Sequence, residues 1–272
     1  MYESETFGFS IARPLGEVYE FLLEPTNFPK WAFGDGAAPM RRIGKRDWAV
    51  ETSVGPRIIR FAERNAHGVL DHEILRFEGD APHPTGFWVV ANGPGTEVVY
   101  TNFRREGMSS EEWASLKTWV ATDLLALQSL LESHGRVEGL FPARAISISI
   151  RQPFREVYGF LAEPLNFPRW AFAHETQMEP LPGGEFAVET SVGPRIMKFA
   201  ERNAFGILTY TSRLKEGGAP LPIPMRVFPN GEGTELSYVF YQRPHTSETE
   251  WRSVMEWVTA DLLALKSMLE GP

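Results

Sequence analysis

The sequence predicts an α+β fold that occurs twice in tandem. Three observations carry this: alternating apolar and polar residues through the middle of each half, a long amphipathic helix pattern closing each half, and near-verbatim recurrence of several segments.

The recurrence sets the domain plan. Asn27-Phe28-Pro29-Lys30-Trp31-Ala32-Phe33 returns as Asn166-Phe167-Pro168-Arg169-Trp170-Ala171-Phe172. Glu51-Thr52-Ser53-Val54-Gly55-Pro56-Arg57-Ile58 returns unchanged at 189–196, and Asp123-Leu124-Leu125-Ala126-Leu127 at 261–265. Phe33 matches Phe172 but Trp48 matches Phe186, so the second copy is one residue shorter in the loop between them. Such a period has the length of a whole domain, too long for a solenoid unit. Copy one is read as residues 1–134 and copy two as 143–272, joined by a short segment rich in Gly and ending in Pro142.

Within copy one the elements follow in order. Phe7, Phe9 and Ile11 alternate along a strand from about Thr6 to Ala12. Pro14 opens a short helix, where its missing N–H costs nothing, and Leu15, Val18, Tyr19 and Leu22 share one face. Pro25 ends that helix, and a further turn spans Asn27 to Phe33. Period-two segments follow at Ala38–Ile43, Asp47–Val54, Arg57–Asn65, Val69–Phe77, Gly86–Ala91 and Glu97–Arg104. Short turns such as Gly55-Pro56 and Asn92-Gly93-Pro94-Gly95 separate them, which predicts an antiparallel meander. Ser109 and Glu112 then form a capping box, repeated as Ser247 and Glu250. Trp113, Leu116, Val120, Leu124, Leu127 and Leu131 recur at steps of three and four along a helix of about 22 residues, roughly 33 Å. A helix with that stripe must lie against the sheet to bury it.

Composition excludes several function classes. The 272 residues include no cysteine, which removes disulfides, thiolate metal sites and thiol catalysis, and suits a reducing, cytoplasmic location. The net charge of -8, with no basic stripe, disfavours nucleic acid and anionic lipid as partners. MYESETFGFS does not read as a signal peptide, and no apolar run reaches membrane-spanning length. No cofactor motif is present. Gly93-Pro94-Gly95 and Gly231-Glu232-Gly233 read as hairpin turns, and His174-Glu175 lacks the second histidine of a zinc protease helix.

The element order, the domain length and the segment from Glu17-Val18-Tyr19 to Asn27-Phe28-Pro29-Lys30-Trp31 resemble the START-like, or SRPBCC, superfamily. That superfamily includes the polyketide cyclase/dehydrase and lipid-binding groups. The resemblance covers nearly all of both copies. It implies two tandem helix-grip domains, each a curved antiparallel sheet wrapped around the long C-terminal helix, with a ligand cavity between them. It also implies a small apolar or amphipathic ligand. Fold alone does not choose a reaction.

Strand alternation nominates the side chains that face that cavity. Leu70, His72 and Ile74 share a face, so His72 points inward, either as a general acid or base or as a core histidine bonded to a neighbour. Its copy-two counterpart is Tyr210. Tyr100 and Asn102 share the inward face of the last strand and match Tyr238 and Phe240. Their hydroxyl and amide groups can serve a ligand or the protein itself. Thr52 and Thr190 lie on apolar faces as polar anchors or as ordinary strand threonines. Trp31, Phe33, Trp170 and Phe172 follow the short helices, at the mouth that the resemblance implies, and serve as ligand contacts or as packing. Trp88 aligns with Arg226, which can pair with a ligand carboxylate or sit on the outer face.

These residues support three readings: a binding module for an apolar molecule, a cyclase- or dehydratase-type enzyme using His72, and an interaction protein with filled cores. Proton exchange near neutral pH would favour copy one, because histidine stands there where copy two has tyrosine. The short link suggests that the copies pack as a pseudo-dimer.

Overall fold

The computed structural model describes residues 1–34, 38–76, 80–171, 177–190, 193–244 and 246–271. The chain separates into two compact units, Tyr2–Ala143 and Arg144–Pro272, the second including Met1.

Copy one begins with β1 (Ser4–Ile11), α1 (Leu15–Leu23) and a 3-10 turn (Pro25–Lys30). It continues through β2 (Arg41–Arg42), β3 (Asp47–Thr52), β4 (Gly55–Phe61), β5 (His72–Leu75), β6 (His83–Asn92) and β7 (Gly95–Phe103) to α2 (Ser110–Glu132). The strands form one antiparallel sheet in the order β1-β7-β6-β5-β4-β3-β2. The meander is thus as expected, and β1 crosses back to close its far edge against β7. Leu124 and Leu127 of α2 share a core with Ile59, Phe87, Val89, Val98 and Tyr100 from the sheet and Phe28 and Trp31 from the turn. The sheet therefore grips the helix.

Copy two repeats the plan with β8 (Ala143–Ile150), α3 (Phe154–Leu161), a 3-10 turn (Pro164–Arg169), β9 (Met178–Leu181), β10 (Glu185–Val188) and β11 (Arg195–Phe199). Then come β12 (Tyr210–Leu214), β13 (Gly217–Ile223), β14 (Met225–Asn230), β15 (Gly233–Tyr241) and α4 (Glu248–Glu270). Here the strands form a five-stranded and a three-stranded sheet, because β13 and β14 stand where copy one has the single strand β6. Pro224 lies at the break, in the place of Gly86. It has no N–H to give to a ladder, although its carbonyl still accepts from Val239 N.

Both long helices carry the complete capping box, with Ser109 and Glu112, and Ser247 and Glu250, bonding reciprocally. Other repeated letters also prove structural. Tyr19 Oη donates to Asn65 O at 2.9 Å, and Tyr158 Oη accepts from Asn203 N at 2.7 Å, tying the first helix to the turn before the fifth segment. In that turn Gly68 has φ +70° and an added Cβ would sit 2.3 Å from Val89 O. Gly206 repeats the conformation against Val227 O, so any side chain there would push the strand away.

Several expected strands are shorter than the alternation suggests: Asp47–Val54 ends at Thr52, Arg57–Asn65 ends at Phe61, and two others are cut back further. Ala38–Ile43 reduces to Arg41–Arg42, since Pro39 cannot donate to β3. In the segment expected to run Val69–Phe77, the ladder spans only His72–Leu75, because Asp71 Oδ1 takes the N–H of Phe87 that a backbone carbonyl would otherwise accept. Phe77 lies outside the described residues.

Candidate functional site

Strand register brings the nominated polar groups of copy one together. His72 pairs with Thr85 across β5 and β6, and Phe87 pairs with Tyr100 across β6 and β7. This places the His72 ring 5.2 Å from Phe28, 6.0 Å from Phe61, 5.9 Å from Phe87 and 5.8 Å from Tyr100, centroid to centroid. The Thr85 hydroxyl donates to His72 O at 2.9 Å and accepts from His72 N, pinning the backbone behind the ring. Leu70 O lies 3.5 Å from Nδ1, and the Tyr100 hydroxyl lies 3.3 Å from Nε2. A proton on Nδ1 leaves Nε2 as the acceptor for the tyrosine.

Electrostatics follow from this enclosure. Burial pushes the His72 imidazole down to about 4, with Leu70 O and Asp71 only partly opposing it. Burial likewise raises the Tyr100 phenol above its ordinary range, and the Asp123 charge adds to this. Both groups are neutral at pH 7. Burial among these rings thus works against the proton exchange near neutrality that the sequence suggested for His72.

Asp123 approaches from α2. Its carboxylate accepts from Phe33 N at 3.0 Å, and burial raises it to about 6 against the backbone N–H groups of Phe33 and Gly34. Phe33 has φ 71°, a conformation that costs a non-glycine residue strain. The helix carboxylate thus latches a strained turn beside the site.

In copy two Tyr210 and Tyr238 occupy the places of His72 and Tyr100, with hydroxyls 2.5 Å apart. Phe167 and Phe199 flank Tyr210 at 5.3 and 5.5 Å. Burial raises both phenols, and the Asp261 charge from α4 contributes.

Other nominated residues lie elsewhere. Thr52 donates to Gly55 O at 2.6 Å and Thr190 to Gly193 O at 2.7 Å, so both hydroxyls brace the hairpin. Trp88 and Arg226 fall on the face opposite Phe87 and Met225. Val89 and Val227 join those two in the cores, while Trp88 and Arg226 do not. Arg226 Nε donates to Phe205 O. Trp31 and Trp170 are 5% and 2% exposed and pack edge-on against Phe28 and Phe167, which makes them wall rather than mouth. Asn102 is on the inner face, and its Oδ1 accepts from Phe103 N. Phe172 lies outside the described residues.

One buried polar cluster was not read from the sequence. Glu97 accepts from Ser10 Oγ at 2.5 Å and Asn92 Nδ2 at 3.3 Å, and burial raises its carboxyl to about 7. Ser149, Asn230 and Glu235 repeat the bonds in copy two. The signal was available as a Ser, Asn and Glu kept at matching positions in both copies. Among the described residues no set of three His, Asp or Glu side chains is placed to hold a metal, and no helix is long and apolar enough to cross a membrane.

No family model and no curated protein matches the chain. Among solved structures it is similar to the di-domain ARO/CYC StfQ from the steffimycin biosynthetic pathway, at 12% identity over 98% of each chain with a TM-score of 0.41. The di-domain ARO/CYC BexL is similar over 99% of each chain, at 13% identity and a TM-score of 0.40. Aha1 from Colwellia psychrerythraea matches 48% of this chain with 96% of its own, at 16% identity and a TM-score of 0.40.

Proposed function

We propose that each copy binds a small apolar or amphipathic molecule on the inner face of its sheet, against the C-terminal helix. The observation that carries this is the pair His72 and Tyr100. Two neutral polar groups, hydrogen-bonded to each other, are set among Phe28, Phe61 and Phe87. Such a surface suits a flat or greasy molecule bearing a hydroxyl or carbonyl, with aromatic faces for the body and one directed polar contact for the group. In copy two the Tyr210 and Tyr238 hydroxyls offer a different polar contact, so the copies prefer different ligands.

A cyclase- or dehydratase-type reaction is the second reading. It rests on the same Tyr100-to-His72 contact, which could pass a proton along one line. The low basicity of His72 and the weak acidity of Tyr100 make binding the better-supported role.

The test uses the full chain purified without detergent. A neutral environment-sensitive dye, Nile red, should brighten on the native protein and be displaced by fatty acids, sterols or aromatic polyketide-like compounds. Native mass spectrometry should reveal a co-purified small molecule. A dye that stays dark, with no compound retained, would overturn the binding reading.

A further inference from the structure

The copies differ most in how they treat a conserved pair of arginines at one end of the sheet. In copy one these are Arg57 on β4 and Arg105 just after β7. Asp80 sits with them, bonded to Arg76 at 2.9 Å and 3.7 Å from Arg105, while Arg105 also donates to Ile74 O. That cluster carries its own carboxylate.

Copy two keeps the arginines as Arg195 and Arg243 but replaces Asp80 with Gly218 and Arg76 with Leu214. Arg195 shares the inner face of β11 with Met197 and Phe199, both in contact with the core, and is half-buried. Arg243 follows β15. Burial lowers both guanidiniums, and the charge of Arg195 lowers Arg243 further. Among the described residues neither forms an ion pair, whereas nearby Arg213 is paired with Glu185. Ser212 pairs with Met197, which puts it on the same face and diagonal to Arg195. It is 4% exposed, and its hydroxyl makes no hydrogen bond among the described residues. Tyr210 lies one inward position further along β12 and feels the Arg195 charge.

Two like charges side by side, one of them half withdrawn from water, with a hydroxyl beside them, attract an anion that joins them. We propose that Arg195, Arg243 and Ser212 form an anion-binding subsite in copy two that takes the carboxylate of an otherwise apolar ligand. The guanidinium fork matches a carboxylate, and the adjacent Phe199 and Tyr210 receive the apolar body. Copy one cannot do this, since Asp80 already fills the role. The sequence suggested such a carboxylate contact for Arg226, but that side chain faces the other side of the sheet.

This subsite rests on the binding reading above, and the test separates the two. Displacement of Nile red from the full chain by 2-naphthoate is compared with displacement by its uncharged methyl ester. The naphthoate should bind about tenfold or more tightly than the ester. The double variant Arg195→Gln and Arg243→Gln should erase that preference, while Arg57→Gln with Arg105→Gln should keep it. Thermal unfolding without ligand checks folding: the copy-two variant should be at least as stable as the parent, because a repulsion is gone. Equal binding of acid and ester, or a preference that survives in the copy-two variant, overturns the subsite and leaves the binding reading standing. If inorganic phosphate competes as well as naphthoate does, the site serves free anions and the proposal is also overturned. If neither naphthalene compound binds, both readings fall.

Discussion

The Tyr100 hydroxyl lies 3.3 Å from Nε2 of His72, and the same two strand positions in copy two bring the hydroxyls of Tyr238 and Tyr210 to 2.5 Å. One framework thus holds two different buried polar pairs, and the pairs can be tested separately.

His72→Phe should leave the Tyr100 hydroxyl buried without its partner, at a cost of about 1–3 kcal/mol in urea unfolding. Adding Tyr100→Phe removes the orphan, so the double variant should cost less than the sum of the two single changes. Strict additivity would show that the contact contributes nothing. With a ligand in hand, His72→Phe and Tyr210→Phe should each weaken binding to their own copy only.

The His72 ring should stay neutral through the physiological range. Its value falls from the ordinary 6.5 to about 4, so the unfolded chain binds the extra proton first. The resulting stability is complete above pH 6.5 and is lost as pH falls toward 4, by about 3 kcal/mol in all. The measurement is nitrogen-15 NMR of the imidazole, which should show no titration between pH 5 and 8. A midpoint near 6.5 would mean that the ring meets water.

Glu97 acts in the opposite direction. Burial raises it from 4.5 to about 7, so stability from its protonated form is present below 4.5 and declines as pH rises through 7. Glu97→Gln keeps an acceptor for Ser10 and Asn92 without the charge. The variant should gain on the parent by roughly 3 kcal/mol or less between pH 4.5 and 8, read from denaturant midpoints. A constant difference across that range would show that Glu97 stays ionised.

Asp123→Ala should free the turn that carries the strained Phe33. Hydrogen exchange at Phe33 and Gly34 should quicken about five- to tenfold, the equivalent of losing about 1 kcal/mol of hydrogen bonding. Unchanged exchange would show that packing of Phe33 against Phe28, at 5.6 Å, holds the turn alone.

Much of the fold was legible because repetition and periodicity act locally. Leu70, His72 and Ile74 alternate against Asp71 and Glu73, and that is enough to turn His72 inward. Gly86-Phe87-Trp88-Val89-Val90 gives no such help, because both faces of β6 are buried and the run is apolar throughout. Alternation therefore left the face of Trp88 open, and the core membership of Phe87 and Val89 puts it on the opposite side. The threonine positions were open for a different reason: at a strand end, a hydroxyl has the turn backbone within reach, as Thr52 and Thr190 do. The box around His72 joins Phe28, Phe61 and Phe87 from distant parts of the chain. Sheet register brings Phe61 and Phe87 to the ring, and the packing of the 3-10 turn onto the sheet brings Phe28. Arg195 was hidden in plain sight, since its segment is identical in both copies and only the loss of the distant Asp80 changes its meaning.

The break at Pro224 gives the second copy a mechanical character that the first lacks. In copy one, bending the sheet along β6 strains a continuous ladder from His83 to Asn92. In copy two the five-stranded and three-stranded panels meet at a seam with one donor removed, so compliance is concentrated at a single peptide. On the binding reading proposed above, a guest too wide for the first copy is expected to enter the second through a small opening of that seam, which gives the two copies different size limits.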